Sequence, residues 1–444
     1  MEHYVTFSWK IFFTALVCAT SAQAAPVLMI SIDGLRPADV IDAPARGLKI
    51  PALRALMAGG AYADGVKNAL PTVTYPNHTT LITGVWPARH GIPNNPTFDP
   101  LQQNLGGWYW YARDIQVPTL WDAVHAGGGK VASLSWPVSV GAAAIDYNMP
   151  EYWRVPVLHD EDIKLVRALM TPGLADQLEK ASGLKLIDAD GETVEEDVGR
   201  TRFAAALIKL KHPRFTTLHL RGLDHVEHLS GPGSAQSHAA LETLDEAVGK
   251  LVTDARKAEP GLVVAIVSDH GFAPIEHEVN LAAAFIRAGL ITMDGAKIKD
   301  WQAEPWGGSS VAVVLKHPED AALKAKVAAL LDDLAAHPEL GIEHVADAGE
   351  IAQLGGSPMA SFWLDMKIGY GMGANPAAPE ISPSTNKGTH GWFPTHPEMR
   401  ATFILNGPGI AQKDLGEIDM RDIAPTLAKV MKVQLPSADG HPLF

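Results

Sequence analysis

A hydroxyl, Thr74, stands in the run Leu70-Pro-Thr-Val-Thr-Tyr-Pro-Asn-His78, just ahead of Pro76 and of a stretch that reads as a short helix. Proline is tolerated in a first helical turn, where its missing N–H would have been unpaired, and threonine suits the position that opens such a turn. Free backbone N–H groups and the positive end of the helix dipole then point outward beside Thr74, an arrangement that takes up phosphate or sulfate. A threonine hydroxyl is a poor nucleophile until a base or a metal ion holds it as an alkoxide. Chemistry at Thr74 therefore requires metal ligands from elsewhere in the chain.

The carboxylates Asp33, Asp224 and Asp269 and the imidazoles His228, His270 and His390 are the candidates. Asp224 and His228, four apart, share one side of a helical turn and suit zinc with mixed oxygen and nitrogen ligands. Alone the pair is weak, because a loop that also holds His225 and Glu227 can simply be solvated. Asp269-His270 follows a buried apolar strand, where adjacent polar groups need a reason to be desolvated; the alternative is a capping Asp beside a packed His. Asp33 ends another apolar run and reads equally as a turn cap. His390, with Gly388 and Gly391 nearby, has room for close approach but otherwise reads as a loop histidine. As a set, these residues fall at strand ends or glycine-flanked turns expected along one edge of one sheet. Six ligands suffice for two three-ligand zinc sites, each with an open position. Two ions about 4 Å apart can hold an attacking alkoxide and stabilise the leaving oxygen of an in-line displacement. Asn95 is either an ordinary turn residue or a donor to a non-bridging phosphate oxygen beside the Thr74 N–H. His78, His90, His212, His219 and His396 read as structural or surface residues, His78 being also suited to orienting a ligand.

The elements that must position these groups alternate along the chain. Val27-Leu-Met-Ile-Ser-Ile32 and Leu262-Val-Val-Ala-Ile-Val-Ser268 read as buried, central parallel strands, and Arg214 to Leu220 alternates like a strand. Helices are expected from Ile50 to Gly60, Asp160 to Lys180, Gly199 to Leu210 and Ser234 to Lys257, and a short strand from Ala61 to Val66. Trp136 to about Val157 reads as irregular. The aromatic run Trp108-Tyr-Trp-Tyr111 either lines a pocket mouth or packs beneath a hairpin. The implied fold class is α/β, a doubly wound, mostly parallel sheet with helices on both faces and its active site at the C-terminal strand edge. From about 276 to 384 the pattern loosens, as expected of a smaller inserted α+β subdomain within a core of 25–275 and 385–444.

With 444 residues, 47% of them hydrophobic, a large core is available. The net charge of −14 and the lack of a basic run argue against a polymeric nucleic-acid partner, whose phosphates need clustered Lys and Arg; a small anion held by metal ions is compatible. Lys10, the apolar run Ile11 to Ala19 and Ala22-Gln-Ala24 have the pattern of a secretory signal over residues 1–24, too short to span a membrane. Export to the periplasm and a mature chain without a transmembrane segment are expected. Cys18, the single cysteine, lies inside that run behind Val17, so neither a lipid anchor nor an internal disulfide is expected.

The motifs Ser31-Ile-Asp-Gly-Leu-Arg36, Pro71-Thr-Val-Thr-Tyr-Pro-Asn-His78, His90-Gly-Ile92, Asp224 with His228, Ser268-Asp-His-Gly271 and Thr389-His-Gly391 together resemble the nucleotide pyrophosphatase and phosphodiesterase branch of the alkaline phosphatase superfamily. The resemblance implies an alkaline-phosphatase-like fold and two zinc ions. Asp224, His228 and His390 would hold one; Asp33, Asp269 and His270 would hold the other, bridged by the nucleophile Thr74, which forms a phospho-threonine intermediate. By the same resemblance Asn95 contacts phosphate, and Tyr75 and Tyr152 flank a nucleobase. Trp136-Pro-Val-Ser139 and Asn94 depart from the family's pattern, which bears on leaving-group preference. The expected substrate is a small nucleotide diester or pyrophosphate. The alternatives are a phospholipid head group, another diester or a monoester by the same mechanism, or a catalytically silent zinc-dependent binding protein. With no compact arginine clamp apparent near Thr74, diesters are favoured; the Thr before Tyr75-Pro76 disfavours a sulfatase.

Overall fold

The computed structural model describes residue 1 and residues 24–104, 106–154 and 159–444. Residues 2–23, which hold most of the expected leader and Cys18, lie outside the described residues. The main sheet contains β1 Val27–Ile32, β2 Ala61–Tyr62, β3 Val131–Leu134, β4 Tyr147–Met149, β5 Phe215–Leu220, β6 Val263–Val267, β7 Phe403–Asn406 and β8 Lys413–Asp414, in the order β8-β2-β7-β6-β1-β5-β3-β4. β1 lies parallel between β5 and β6, with Val27 opposite Phe215 on one side and Val263 on the other. β3 and β4 continue the parallel pairing beyond β5, while β7 runs antiparallel to both β6 and β2.

Every residue of β1, β5 and β6 is buried, which is why β1 and β6 read as nearly unbroken apolar runs, while β5 also buries Thr216, Thr217 and His219. Strand alternation sends Leu28, Ile30 and Ile32 into one apolar cluster, shared with the helices Val194–Lys211 and Ala235–Ala258. Val27 and Met29 enter the opposite cluster, with the helices Leu120–Ala126 and Ile423–Met431. Both faces are therefore covered, and the doubly wound α/β architecture expected above is the one the chain adopts.

A second sheet, all antiparallel, has the order Ala303–Gly307, Ser310–Leu315, Ala360–Met366, Ile342–Asp347, and packs with the helices Leu281–Arg287 and Ala321–Ala335 around its own apolar cluster. The strand Ala273–Val279 leads out of the main sheet towards it and pairs antiparallel with the returning segment Gly388–Thr389. That pairing brings residue 390 back to the edge where β6 ends.

Three local readings change. The stretch 160–180 is two helices, His159–Leu169 and Leu174–Ser182, because Pro172 cannot donate into a helix and Gly173 takes a left-handed φ of 74°. The stretch 61–66 is divided between β2 and the strand Gly65–Lys67, which pairs with Glu417–Asp419. The segment after Trp136 contains β4, whose Tyr147-Asn-Met149 is too short to show a period. Among the described residues no helix is long and apolar enough to cross a membrane.

Glu304, on the edge strand Ala303–Gly307, keeps its Oε2 buried without a hydrogen-bond partner among the described residues, and burial pushes its carboxyl up to about 8. A pKa raised above the unfolded value of about 4.3 stabilises the fold below that value, and the contribution is lost as pH rises through about 8. Glu304→Gln is therefore expected to melt near the wild-type temperature at pH 5 and above it at pH 9; calorimetry across that range that finds no pH-dependent difference contradicts the assignment.

Candidate active site

The C-terminal ends of β1, β5 and β6 deliver Asp33, Arg221 and Asp269-His270 to one edge of the sheet. After β5 the chain enters the helix Gly222–Ser230, whose first and last turns hold Asp224 and His228. The start of that helix is fixed from below by the buried Asp197, which accepts from the N–H groups of Arg221 at 3.1 Å and Gly222 at 2.7 Å and is ion-paired with Arg200. His390 follows the returning strand, where Gly388 permits a close approach: a Cβ there would lie 2.7 Å from the Glu227 carbonyl oxygen. Sheet order thus converges residues that are far apart along the chain.

Two groups of ligand-type side chains result, Asp33 with Asp269 and His270, and Asp224 with His228 and His390; within each, one donor atom per residue lies within 4.8 Å of the others. His270 Nε2 is 3.3 Å from Asp33 Oδ1 and 3.1 Å from Asp269 Oδ2. His228 Nε2 is 3.4 Å from Asp224 Oδ2, and His390 Nε2 is 3.6 Å from Asp224 Oδ1. The rings of His270 and His390 stack with centroids 3.6 Å apart, which places the two groups side by side.

Each of the three imidazoles has its Nδ1 3.0 Å from a backbone carbonyl, that of Gly388 for His228, Gly271 for His270 and Thr72 for His390. A carbonyl only accepts, so Nδ1 carries the proton and the Nε2 lone pair turns inward, the arrangement found behind metal-ligating histidines. Asp33 Oδ1, Asp269 Oδ2, His270 Nε2 and Asp224 Oδ1 are buried with no hydrogen-bond partner among the described residues. Buried polar atoms are rarely left so. Their donor set, carboxylate and imidazole in threes, fits zinc.

The electrostatics are those of a site short of positive charge. Burial pushes the Asp33 carboxyl well above its ordinary range, and the Asp269 and Asp224 charges push it further. Burial acts the same way on Asp269, but His270 and His78 outweigh it and hold that carboxyl low. Burial would lower His270, yet the Asp269 carboxylate raises it. Burial and the neighbouring His270 and His228 keep His390 well below the usual imidazole value. A cation between these groups relieves all of the opposed demands at once.

Thr74 is the first residue of the helix Thr74–Thr83, with the extended Val73 before it, so the threonine side chain is not spent as a cap. His78, one turn on, places Nδ1 2.9 Å from the Thr74 carbonyl and 3.5 Å from Asp269 Oδ2, tying the hydroxyl's turn to a ligand. Asn95 accepts from the Tyr75 N–H through Oδ1 at 2.8 Å, which leaves its NH2 available. Thr74, Asn95, Asp33, Asp224, His228 and His390 all line one cavity of about 230 Å³.

The aromatic residues differ from expectation. Tyr75 borders the cavity but its side chain is fully buried, held edge-on by Trp108 at 5.2 Å and by a 2.8 Å hydrogen bond from its hydroxyl to Glu151. It therefore offers no free face for a base. Tyr152 turns away to pack on Trp110 at 4.8 Å, and its neighbour Trp153 joins Trp108 on the cavity wall. Arg221, not apparent as a clamp from the sequence, also lines the cavity, its guanidinium 3.5 Å from Glu151 and 3.7 Å from Asp190. His219 and Glu151 were not singled out as site residues, yet His219 contacts Asp33 at 2.9 Å. A histidine in the middle of a buried apolar strand, and an acid in Met149-Pro-Glu-Tyr-Trp153, were the available signals.

Residues 27–392 match the family model described as type I phosphodiesterase / nucleotide pyrophosphatase. Rat ectonucleotide pyrophosphatase/phosphodiesterase family member 3 is 24% identical over 266 residues, covering 57% of this chain and 26% of the relative. A venom phosphodiesterase of Macrovipera lebetinus is 24% identical over 277 residues, covering 59% and 27%. The match thus spans about a quarter of the length of these curated relatives. Human ectonucleotide pyrophosphatase/phosphodiesterase 5 superposes with a TM-score of 0.63 at 19% identity, covering 94% of this chain and 96% of that one. An inactive threonine-to-alanine variant of the murine protein, in complex with AMP, gives 0.64 at 18% identity with the same coverage. The fold, the order of the motifs and the extent of the family match together make this chain a member of the type I phosphodiesterase/nucleotide pyrophosphatase family.

Proposed function

We propose that the protein is an exported two-zinc phosphodiesterase that cleaves nucleotide diesters or pyrophosphates through a phospho-threonine intermediate on Thr74. The observation that carries this reading is that Thr74 lines the same cavity as Asp33, Asp224, His228 and His390, and that Asp33 Oδ1, Asp269 Oδ2, His270 Nε2 and Asp224 Oδ1 lack hydrogen-bond partners among the described residues. The murine relative with AMP and an inactivating threonine change supports it as a parallel. Asp33, Asp269 and His270 would hold one zinc and Asp224, His228 and His390 the other, with Thr74 bound to the first. Zinc held there supplies the charge that lets a threonine hydroxyl ionise near neutral pH and that stabilises the departing oxygen.

The chain's own residues do the rest. The Thr74 N–H and the dipole of the Thr74–Thr83 helix face the phosphoryl group, the Tyr75 N–H being taken by Asn95 Oδ1 and Pro76 having none, while Asn95 offers its NH2 to a non-bridging oxygen. Thr74 Oγ forms the new bond to phosphorus as the bond to the leaving oxygen breaks, that oxygen taking the electron pair. Water then attacks the same phosphorus, returning the threonine hydroxyl and releasing the monophosphate. Trp108 and Trp153 are the ring faces on the cavity wall for the group that remains on phosphorus, in place of the Tyr75 and Tyr152 pair expected from sequence.

Thr74→Ala is expected to lower turnover of bis-p-nitrophenyl phosphate at least about a thousandfold while the zinc content is retained. Turnover that survives the change rules out the threonine mechanism, and zinc-loaded wild type that binds AMP without hydrolysing any diester indicates a binding protein. Asn95→Ala is expected to reduce kcat about a hundredfold, as loss of one positioned donor to a developing charge does. Chelation should lower the melting temperature by about 5 °C or more, since an ion at about a thousand times its Kd contributes about 4 kcal/mol. An unchanged melting curve with excess chelator argues against bound metal.

A further inference from the structure

Glu151 takes no part in the steps above, yet it is 1% exposed. It lies just beyond β4, and both of its oxygens are engaged. Oε1 accepts from the Tyr75 hydroxyl at 2.8 Å, and Oε2 lies 3.0 Å from His219 Nδ1 and 3.5 Å from Arg221 Nη1. His219, fully buried in β5, sets its Nε2 2.9 Å from Asp33 Oδ2. A line from Tyr75 through Glu151 and His219 to Asp33 therefore runs along the cavity wall. It ends on one oxygen of the carboxylate whose other oxygen, Oδ1, has no hydrogen-bond partner among the described residues.

Burying a carboxylate costs several kcal/mol before compensation, and an apolar side chain of similar size would fill this space without that cost. The acid must therefore do something an apolar residue cannot. Glu151 shares Nδ1 with the Ser135 carbonyl oxygen, 3.1 Å away, and as the charged one of the two acceptors it holds the ring plane of His219 so that Nε2 meets Asp33. With Oδ2 held, rotation of the Asp33 carboxylate is frozen and Oδ1 is left facing His270. We propose that Glu151 is a positioning residue of the centre: through His219 it orients Asp33 toward the Asp269–His270 group, and through Tyr75 it steadies the backbone that follows Thr74. Groups behind a metal ligand act in this way, and their removal costs about tenfold to a hundredfold in metal affinity or activity.

The inference rests on the two-zinc reading for the identity of the ion, and the decisive measurement is binding, not turnover. Zinc would be titrated into the apoprotein against a chromophoric chelator in two backgrounds: Asp224→Ala, which leaves only the Asp33 group intact, and Asp269→Ala, which leaves only the Asp224 group. Adding Glu151→Gln is expected to weaken zinc about tenfold or more in the first background and by less than about twofold in the second. Tyr75→Phe, which cuts only the other arm, is expected to leave zinc affinity unchanged in both. In the otherwise wild-type protein, Glu151→Gln should lower kcat for bis-p-nitrophenyl phosphate about tenfold with KM nearly unchanged.

Equal weakening in both backgrounds would show general loosening, and unchanged affinity in the first would show that Asp33 needs no such support; either overturns the proposal. Should Glu151→Gln fail to fold, Glu151→Asp keeps the charge on a shorter arm and must show the same one-sided loss. Wild type that binds two zinc ions but hydrolyses no diester would remove the phosphodiesterase reading and leave this result standing. Wild type that binds no zinc at the Asp33 group would remove the inference.

Discussion

Two buried carboxylates, Asp33 and Asp269, with one imidazole between them, are the constraint around which this molecule is arranged. Their facing oxygens lie 3.3 and 3.1 Å from His270 Nε2, and none of the three atoms has a hydrogen-bond partner among the described residues. In a dry site such a set is unstable by itself: like charges repel, and desolvation penalises every charged form. A cation resolves the conflict, and the second group of Asp224, His228 and His390 repeats the solution alongside.

The fold meets this demand by ordering strands. β1, β5 and β6 are neighbours and run parallel, so the residues that follow them leave the sheet at the same edge. What lies beyond β6 is less usual: a strand runs out to the second sheet, and Gly388–Thr389 returns along it to stack His390 on His270. His390 is thus placed by strand register and not by a flexible loop, and the second sheet is further joined to the Thr74 turn by the cluster of Leu70 with Ala312, Ala346 and Trp363. Thr74 reaches the cavity from the opposite apolar cluster, to which Leu81 and Ile82 anchor its helix.

The cavity wall shows how charge compensation and recognition overlap. Arg221 is held at 3.5 Å from Glu151 and 3.7 Å from Asp190, so it contributes donors without a large uncompensated charge. Glu151 faces Tyr75, His219 and Arg221 together, and although burial works against it, Arg221 and then His219 keep its carboxyl down at about 2. The acid is therefore ionised throughout the working range. Aromatic rings close the remaining side, with Trp108 and Trp153 in edge contact at 4.8 Å.

What could be read along the chain was local in origin. β1 and β6 announce themselves because burial on both faces demands continuous apolar residues, and each run passes into polar chemistry just where it must leave the core; β5 shows only as an alternating stretch. The Thr74 turn, the Asp224–His228 spacing and the Asp269-His270 pair are likewise legible, since each depends only on neighbours within a helical turn. The identity of the residue behind Asp33 was not legible: His219 is 186 positions from it and 68 from Glu151, and no local preference joins residues so far apart. Nor could the chain say that Tyr75 would be buried or that Trp153 would stand where Tyr152 was expected. Successive residues of an extended segment point to opposite sides, and the side that faces the cavity is set by Trp110 and Trp108 packing from another loop. Side-chain type and spacing carry the chemistry because bonds to neighbours are short. Direction and partnership belong to the packed sheet, because they arise from contacts that exist only once distant segments have been brought together.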